Sequence, residues 1–165
     1  MLARSPFLLP LRTLLLLPLL GAAACGPGYL DAAQKVPATT ENKAVFEVLK
    51  AYHQAIEDRD IDALRTLISP QFHENGGTTD DPSDDYGYDK LIQKLTMLRD
   101  NVKKLHLQIQ LRAIEIKDDE AAAEVHFVGT ALLTEGGVDN YRTWDDINRL
   151  KLKREDGAWH IIGGL

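Results

Sequence analysis

A single cysteine, Cys25, is present among the 165 residues of the chain. A disulfide bond within one chain needs two cysteines, so the packing of the core must stabilise the fold unaided. The sequence also lacks zinc-ligand spacings, a glycine-rich phosphate loop and the G-x-S-x-G motif of serine hydrolases. No metal, cofactor or nucleophilic serine is therefore predicted.

Basic side chains are fewer than acidic ones, with 19 Lys and Arg against 25 Asp and Glu and a formal net charge of −6. Nucleic-acid binding depends on Lys and Arg that neutralise phosphates, so this balance argues against a nucleic-acid partner. It equally argues against a charge-driven contact with anionic lipid.

The longest apolar run, LLLLPLLGAAA from Leu14 to Ala24, is short and is interrupted by Pro18. A membrane-spanning helix needs about 20 apolar residues. The run follows the cationic residues Arg4 and Arg12 and ends in small residues, which is the order of a secretory signal. Residues 1–24 are therefore predicted to be a signal peptide that is removed.

The junction AAAC resembles the lipobox of bacterial lipoproteins, with Ala23 and Ala24 matching its small residues and Ala22 replacing its usual leucine. The resemblance implies that Cys25 becomes a lipid-modified N-terminus that anchors the protein to a membrane. Because Gly26 rather than aspartate follows, it also implies the outer membrane, with the domain facing the periplasm. The alternative is ordinary signal cleavage, because Ala22-x-Ala24 also fits the A-x-A rule. Residues 25–41, rich in Gly, Pro, Ala and Thr, are predicted to form a flexible tether.

Residues 42–165 are predicted to form one domain that opens with three helices. Apolar residues three and four apart predict the first helix, capped by Thr40. Asp60 is the predicted N-cap of a second, shorter helix, and a third is predicted from about Asp89 to Val102.

From Leu105 onward the apolar period changes from 3.6 to 2, which predicts β-strands. A change of phase at Ala113 predicts a β-bulge, and turns at KDDE, TEGGVDN and EDG separate four strands. The resulting fold class is α+β, with three N-terminal helices packed on a strongly curved antiparallel sheet of about four long strands.

Two segments, AIEDRDIDALRTLISPQF and LKREDGAWHIIGGL, resemble the nuclear transport factor 2-like superfamily. The matching features are the short helix introduced by D-x-D-A-L, Phe72 after that helix, and a final strand of the form D-G-x-W-x-I. The resemblance covers residues 42–165 and is nearest the polyketide-cyclase-like (SnoaL-like) and ketosteroid-isomerase-like branches. It implies a cone-shaped fold whose members commonly dimerise through the outer sheet face. This fold hosts isomerases, dehydratases, cyclases and binding proteins, so it does not define the function.

The isomerase branch implies candidate site residues. It places Tyr52 on that family's oxyanion-binding tyrosine and Asp146 near its protonated aspartate. The general base of the family falls at Gly76, which has no carboxylate, so His73, Glu74 or Asn75 would have to replace it. His73 is the preferred candidate base, because histidine titrates near neutral pH.

Alternation along RTWDDINRLKL places Trp144, Asp146 and Asn148 on the inner face of the sheet. The predicted ligand pocket consists of Tyr52, Phe72, His73, Trp144, Asp146 and Asn148. Structural alternatives remain for some of them. Tyr52 is then an aromatic residue of the core, and His73 a loop histidine bonded to backbone groups. Asp146 and Asn148 are then turned to solvent by a bulge, or Asp146 bonds an arginine or a helix end.

The acidic run from Asp80 to Asp89 does not have the spacing of a calcium-binding EF-hand loop. It is predicted to be a solvated loop that lies over the mouth of the pocket. The predicted function is a non-catalytic envelope lipoprotein whose pocket binds a small apolar ligand or a partner protein. The alternative is an isomerase, dehydratase or cyclase with His73 as base and with Tyr52 and Asp146 polarising a carbonyl.

Overall fold

The computed structural model describes residues 28–31, 33–76 and 81–165. The predicted signal peptide, residues 1–24, and Cys25 lie outside the described residues. Among the residues described, no helix combines the length and apolar character that crossing a membrane requires.

Two short hairpins and three helices precede a sheet of three long strands and one strand of six residues. In chain order the elements are β1 (Tyr29–Asp31), β2 (Val36–Pro37), α1 (Thr40–Asp58), α2 (Ile61–Leu67), β3 (His73–Glu74), β4 (Tyr86–Gly87), α3 (Tyr88–Asn101), β5 (Val102–Lys117), β6 (Glu120–Glu135), β7 (Val138–Glu155) and β8 (Ala158–Gly163). The predicted fold class is confirmed: helices pack on a curved antiparallel sheet of order β5-β6-β7-β8.

The helix caps follow from side-chain chemistry. Asp60 caps α2 as predicted, because its Oδ1 accepts the Ala63 N–H at 2.9 Å. For α1 the prediction was one residue off: Thr39 is the cap, with Oγ1 accepting the Asn42 N–H at 3.1 Å, and Thr40 is the first helical residue.

One face of the sheet joins the helices in a single core. The register of β5 and β6 shifts between Leu111 and Ala113, which confirms the predicted bulge and keeps the apolar residues on that inner face. The largest fully buried apolar side chains of this core are Val45, Leu49, Leu64, Ile68, Val125, Leu150, Leu152 and Ile161.

Two segments predicted to be irregular contain short hairpins instead. Within the expected tether, β1 pairs with β2, and Val36 is buried in the core. Within the acidic segment, Glu74 of β3 pairs with Tyr86 of β4. In both, one apolar side chain that reaches the core fixes a segment whose overall composition is polar.

The last strand covers only part of its neighbour. β8 pairs with β7 from Lys151 to Glu155, whereas β6 pairs with β7 from Val138 to Lys153. Within the part of the chain that the structure describes, residues 138–148 of β7 therefore have a paired strand on one side only, and their other edge is open.

Candidate functional site

A crevice of about 560 Å³ lies at the open edge of β7. Its walls are the β3–β4 hairpin, helix α3, the end of the chain at Gly164 and Leu165, and residues 147–149 of β7. Its polar lining residues are Glu74, Asp84, Tyr86, Lys94, Asn148 and Arg149.

Glu74 is fixed in this crevice by backbone hydrogen bonds. Its Oε2 accepts the Gly164 N–H at 2.5 Å, and its Oε1 accepts the Asn75 N–H at 3.3 Å. Backbone donors hold the carboxylate in one position and satisfy part of its hydrogen-bonding capacity. Glu74 therefore also fastens the end of β8 to the hairpin.

Tyr86 lies opposite Glu74 in the hairpin, so the two side chains share a face. Burial raises the pKa of the Tyr86 phenol, and the charge of Glu74 raises it further. The ammonium group of Lys94 lies 3.6 Å from the centroid of the Tyr86 ring, within the range of a cation–π contact. The crevice thus presents a protonated phenol, a cation and a fixed carboxylate side by side.

Gly76 marks a close approach of two backbone segments. Its φ is +59°, and a Cβ placed on it would lie 2.6 Å from both Cγ and the carbonyl oxygen of Asp84. A side chain at this position would therefore require Asp84 and its backbone to move. Position 76, to which the isomerase resemblance assigns the general base, lines the crevice through backbone alone.

Tyr52 lies on α1 and packs against the core. Burial raises the pKa of its phenol well above the ordinary range, and Tyr86 adds to the shift. Tyr52 is therefore a neutral phenol on a half-buried side chain, close enough to Tyr86 for the two to interact electrostatically.

His73 lies on the other side of the hairpin. Neighbouring residues of a strand point to opposite faces, so His73 points away when Glu74 points into the crevice. Its side chain is 64% exposed, with Nε2 3.4 Å from Oδ2 of Asp85. It borders a separate open depression with Tyr88 and Lys90.

Phe72, another predicted pocket residue, is a core residue. It is only 2% exposed, and its ring centroid lies 6.1 Å from that of Tyr86. It supports the crevice from behind, by packing against the tyrosine that lines it.

The three candidates on β7 share the inner face, as their pairing with Gly129, Phe127 and Val125 requires. Trp144 is half-buried, and its indole lies over Gly129, where a Cβ would come within 2.1 Å of Cζ2. Asn148 lines the crevice. Asp146 is exposed, which differs from the predicted burial, because this part of β7 has open space beside it where β8 no longer pairs.

The structure therefore does not bring Tyr52, His73 and Asp146 to one cavity. Among the predicted pocket residues, Asn148 lines the crevice. Phe72 belongs to the core and Tyr52 packs against the core, and neither lines the crevice. Tyr86 and Lys94 were missed, because the hairpin that places Tyr86 lies within a polar segment without alternation. In the described ranges 28–31, 33–76 and 81–165, no three His, Cys, Asp or Glu side chains are arranged to hold a metal ion.

Solved structures share this fold at low sequence identity. A conserved protein from Planctomyces limnophilus is 15% identical, with a TM-score of 0.63 over 74% of this chain and 91% of that one. A nuclear transport factor 2-like superfamily protein from Salmonella enterica is 18% identical, with a TM-score of 0.59 over 76% and 89%. A ketosteroid isomerase-like protein from Erwinia carotovora atroseptica is 16% identical, with a TM-score of 0.60 over 76% and 93%.

No curated protein matches the sequence. The model of the SnoaL-like domain matches residues 45–163, which comprise most of the chain and all four strands of the main sheet. The chain therefore belongs to the SnoaL-like family, and it shares its fold with nuclear transport factor 2-like proteins.

Proposed function

We propose that this protein is a non-catalytic binding domain of the bacterial cell envelope, and that the crevice beside β7 holds a small polar molecule. The observation that carries the proposal is the grouping of Glu74, Tyr86 and Lys94 within one crevice. The sequence predicted an apolar ligand. We propose a polar one instead, because these polar side chains line the crevice.

The chemistry of the crevice favours a zwitterionic or amide-bearing ligand. Lys94 can bind an anionic group, and Glu74 and Asp84 can accept hydrogen bonds from a cationic or amide group. Asn148 can donate and accept. The guanidinium of Arg149 is directed to Glu115 by a bond of 2.5 Å, so Lys94 is the main cation facing the ligand.

The envelope location rests on the sequence before the domain. The signal-like run and the lipobox-like junction at Cys25 support export and lipid attachment, with the domain held at the outer membrane and facing the periplasm. A single acyl chain binds a membrane only marginally, whereas two or three chains give a stable anchor.

The positions of His73 and Glu74 give less support to the catalytic alternative. General base catalysis requires the base within hydrogen-bond reach of the reacting group and its oxyanion donors. His73 is exposed beside Asp85, on the face of the hairpin opposite the crevice. The carboxylate of Glu74 is engaged by backbone N–H groups, which makes it a binding group rather than a free base.

Native mass spectrometry on the protein extracted gently from the envelope of its own host tests the proposal. We expect a small-molecule adduct that is lost in Lys94→Met and retained in Lys90→Met, a matched lysine of the same helix that lies outside the crevice. The His73→Ala variant should also keep the adduct.

Two results would overturn the proposal. One is the absence of any adduct from the wild-type protein. The other is an adduct whose mass changes on incubation with the wild-type protein but stays constant with His73→Ala, which would establish the enzymatic alternative.

A further inference from the structure

We infer that the open edge of β7 pairs with the same edge of a second copy of this chain, which makes one continuous sheet across a twofold axis. An unpaired strand edge is a row of free N–H and C=O groups that another strand can extend. This inference concerns an interaction surface and does not depend on a ligand in the crevice.

The two edges of the sheet differ in how they are covered. Along β5, Arg59 donates to the Val102 carbonyl at 2.7 Å, and Glu57 and His53 bond to the N–H and C=O of Leu107 at 2.9 and 2.6 Å. Along β7, β8 supplies partners only from Lys151 onward. Natural sheets commonly protect an edge with charged side chains, as β5 is protected here.

The backbone of β7 shows which groups face the open edge. The Arg154 N–H bonds to the Asp119 carbonyl on the side of β6. The Arg149 carbonyl faces the opposite side, where a Cβ on Gly164 would lie 2.1 Å from it. Since these groups alternate along a strand and β6–β7 pairing is regular, odd-numbered residues of β7 face the open edge.

The side chains of β7 favour a second copy of this chain as the partner. When two β7 strands pair antiparallel with Trp144 at the centre, their side chains are complementary in charge and in apolar character. An antiparallel pair centred there sets Arg142 opposite the partner's Asp146, and Tyr141 opposite the partner's Ile147. Both contacts occur twice by symmetry. Opposite charges and apolar pairs directly across strands are stabilising.

Antiparallel pairs centred one residue to either side of Trp144 do not combine these charge pairs and apolar pairs. A pair centred on Asp145 would set that carboxylate opposite its own copy, and like charges facing each other are destabilising. A pair centred on Thr143 would set Tyr141 opposite the partner's Asp145, and Ile147 opposite the partner's Asp139. The Trp144 centre alone among the three combines the charge pairs with the apolar pairs.

The exposure of two apolar side chains of β7 agrees with a contact between two copies of the chain. Tyr141 is 70% exposed and Ile147 is 54% exposed, and both lie on the outer face of β7. Pairing would cover both side chains. Because Ile147 and Asn148 also line the crevice, the partner's Tyr141 and Asn140 would come to its rim.

Sedimentation velocity of the protein over a concentration series tests the inference. We expect a dimer. Asp146→Arg should raise its dissociation constant by more than about tenfold, because like charges then face each other twice. Combining Arg142→Asp with Asp146→Arg should restore the dimer.

Two further variants separate the edge from the outer face of the sheet, which is the dimer surface implied by the family resemblance. Thr143→Pro removes an N–H that faces the open edge and should abolish the dimer, while circular dichroism reports whether the fold is kept. Val128→Lys alters the outer face of β6 and should leave the dimer intact.

A monomer at every concentration would overturn the inference. So would a dimer that survives Thr143→Pro and Asp146→Arg but dissociates in Val128→Lys. A monomer that instead binds an extended peptide along β7, blocked by Thr143→Pro, would also overturn it, because the edge would then serve a different partner.

Discussion

The carboxylate of Glu57 on helix α1 accepts a hydrogen bond of 2.9 Å from the backbone N–H of Leu107 on β5. This contact is half-buried. In it, Nε2 of His53 also bonds the carbonyl oxygen of Leu107 at 2.6 Å. One helix thus satisfies the N–H and the C=O that Leu107, on the edge strand β5, directs away from β6. The contact both attaches α1 to the sheet and prevents further pairing at β5.

Replacing Glu57 should therefore destabilise the domain more than replacing an exposed glutamate of the same helix. Glu57→Ala leaves the Leu107 N–H without its partner, and we expect a loss of about 1–3 kcal/mol in the free energy of unfolding. The matched control is Glu47→Ala, which removes an exposed pair with Lys50 and should change stability by less than about 1 kcal/mol. Urea unfolding measures both, and equal losses would contradict the expectation.

The contact of Trp144 with Gly129 predicts a strong effect from one methyl group. In Gly129→Ala the new Cβ would overlap the indole ring, so the ring must move, at an expected cost of about 1–3 kcal/mol. Tryptophan fluorescence should shift as the ring becomes more exposed. In a Trp144→Ala background the same change should cost much less, and an equal cost in both backgrounds would show that the clash is with other groups.

The buried phenol of Tyr52 predicts how stability responds to alkaline pH. Its folded pKa is raised above the ordinary value of 10.0, so the unfolded chain releases this proton first. The stabilisation is fully present below pH 10.0 and is lost as the pH rises toward the folded pKa. Tyr52→Phe should therefore show a smaller loss of unfolding free energy between neutral and alkaline pH than the wild type. An identical pH dependence in the two proteins would contradict the burial of this phenol.

The β1–β2 hairpin should contribute to stability through Val36. Its side chain is 4% exposed, and Val36→Ala should reduce the unfolding free energy by about 1–2 kcal/mol. Gln34→Ala, at an exposed position of the same hairpin, should change it by less than about 0.5 kcal/mol. A Val36→Ala protein as stable as the control would mean that the hairpin is not part of the cooperative unit.

The long elements could be predicted because their apolar periods are unambiguous. The bulge at Ala113 is an example: the inner face needs Leu111 and Ile114 on the same side, and only an extra residue in the strand allows that. The same alternation placed Trp144, Asp146 and Asn148 on the inner face. It could not predict the exposure of Asp146, because that depends on where β8 stops pairing along β7.

The crevice itself could not be derived from local pattern. It depends on the two-residue strands β3 and β4, which pair across a polar segment, and on the reach of Lys94 to Tyr86. Neither contact produces a sequence period. The resemblance to isomerases emphasised Tyr52, His73 and Asp146, whereas Glu74 and Tyr86 are brought together by that short pairing.

The docked β1–β2 hairpin has a consequence for an anchored protein. A fully extended chain from residue 25 to residue 41 could span up to about 60 Å, but a chain from Cys25 to Gly28 spans only about 10 Å. With lipid on Cys25, the domain would stay within a thin layer above the bilayer and move mainly by lateral diffusion. Neighbouring copies would then hold their β7 edges at a similar height, so a weak association in solution would become a frequent encounter on the membrane.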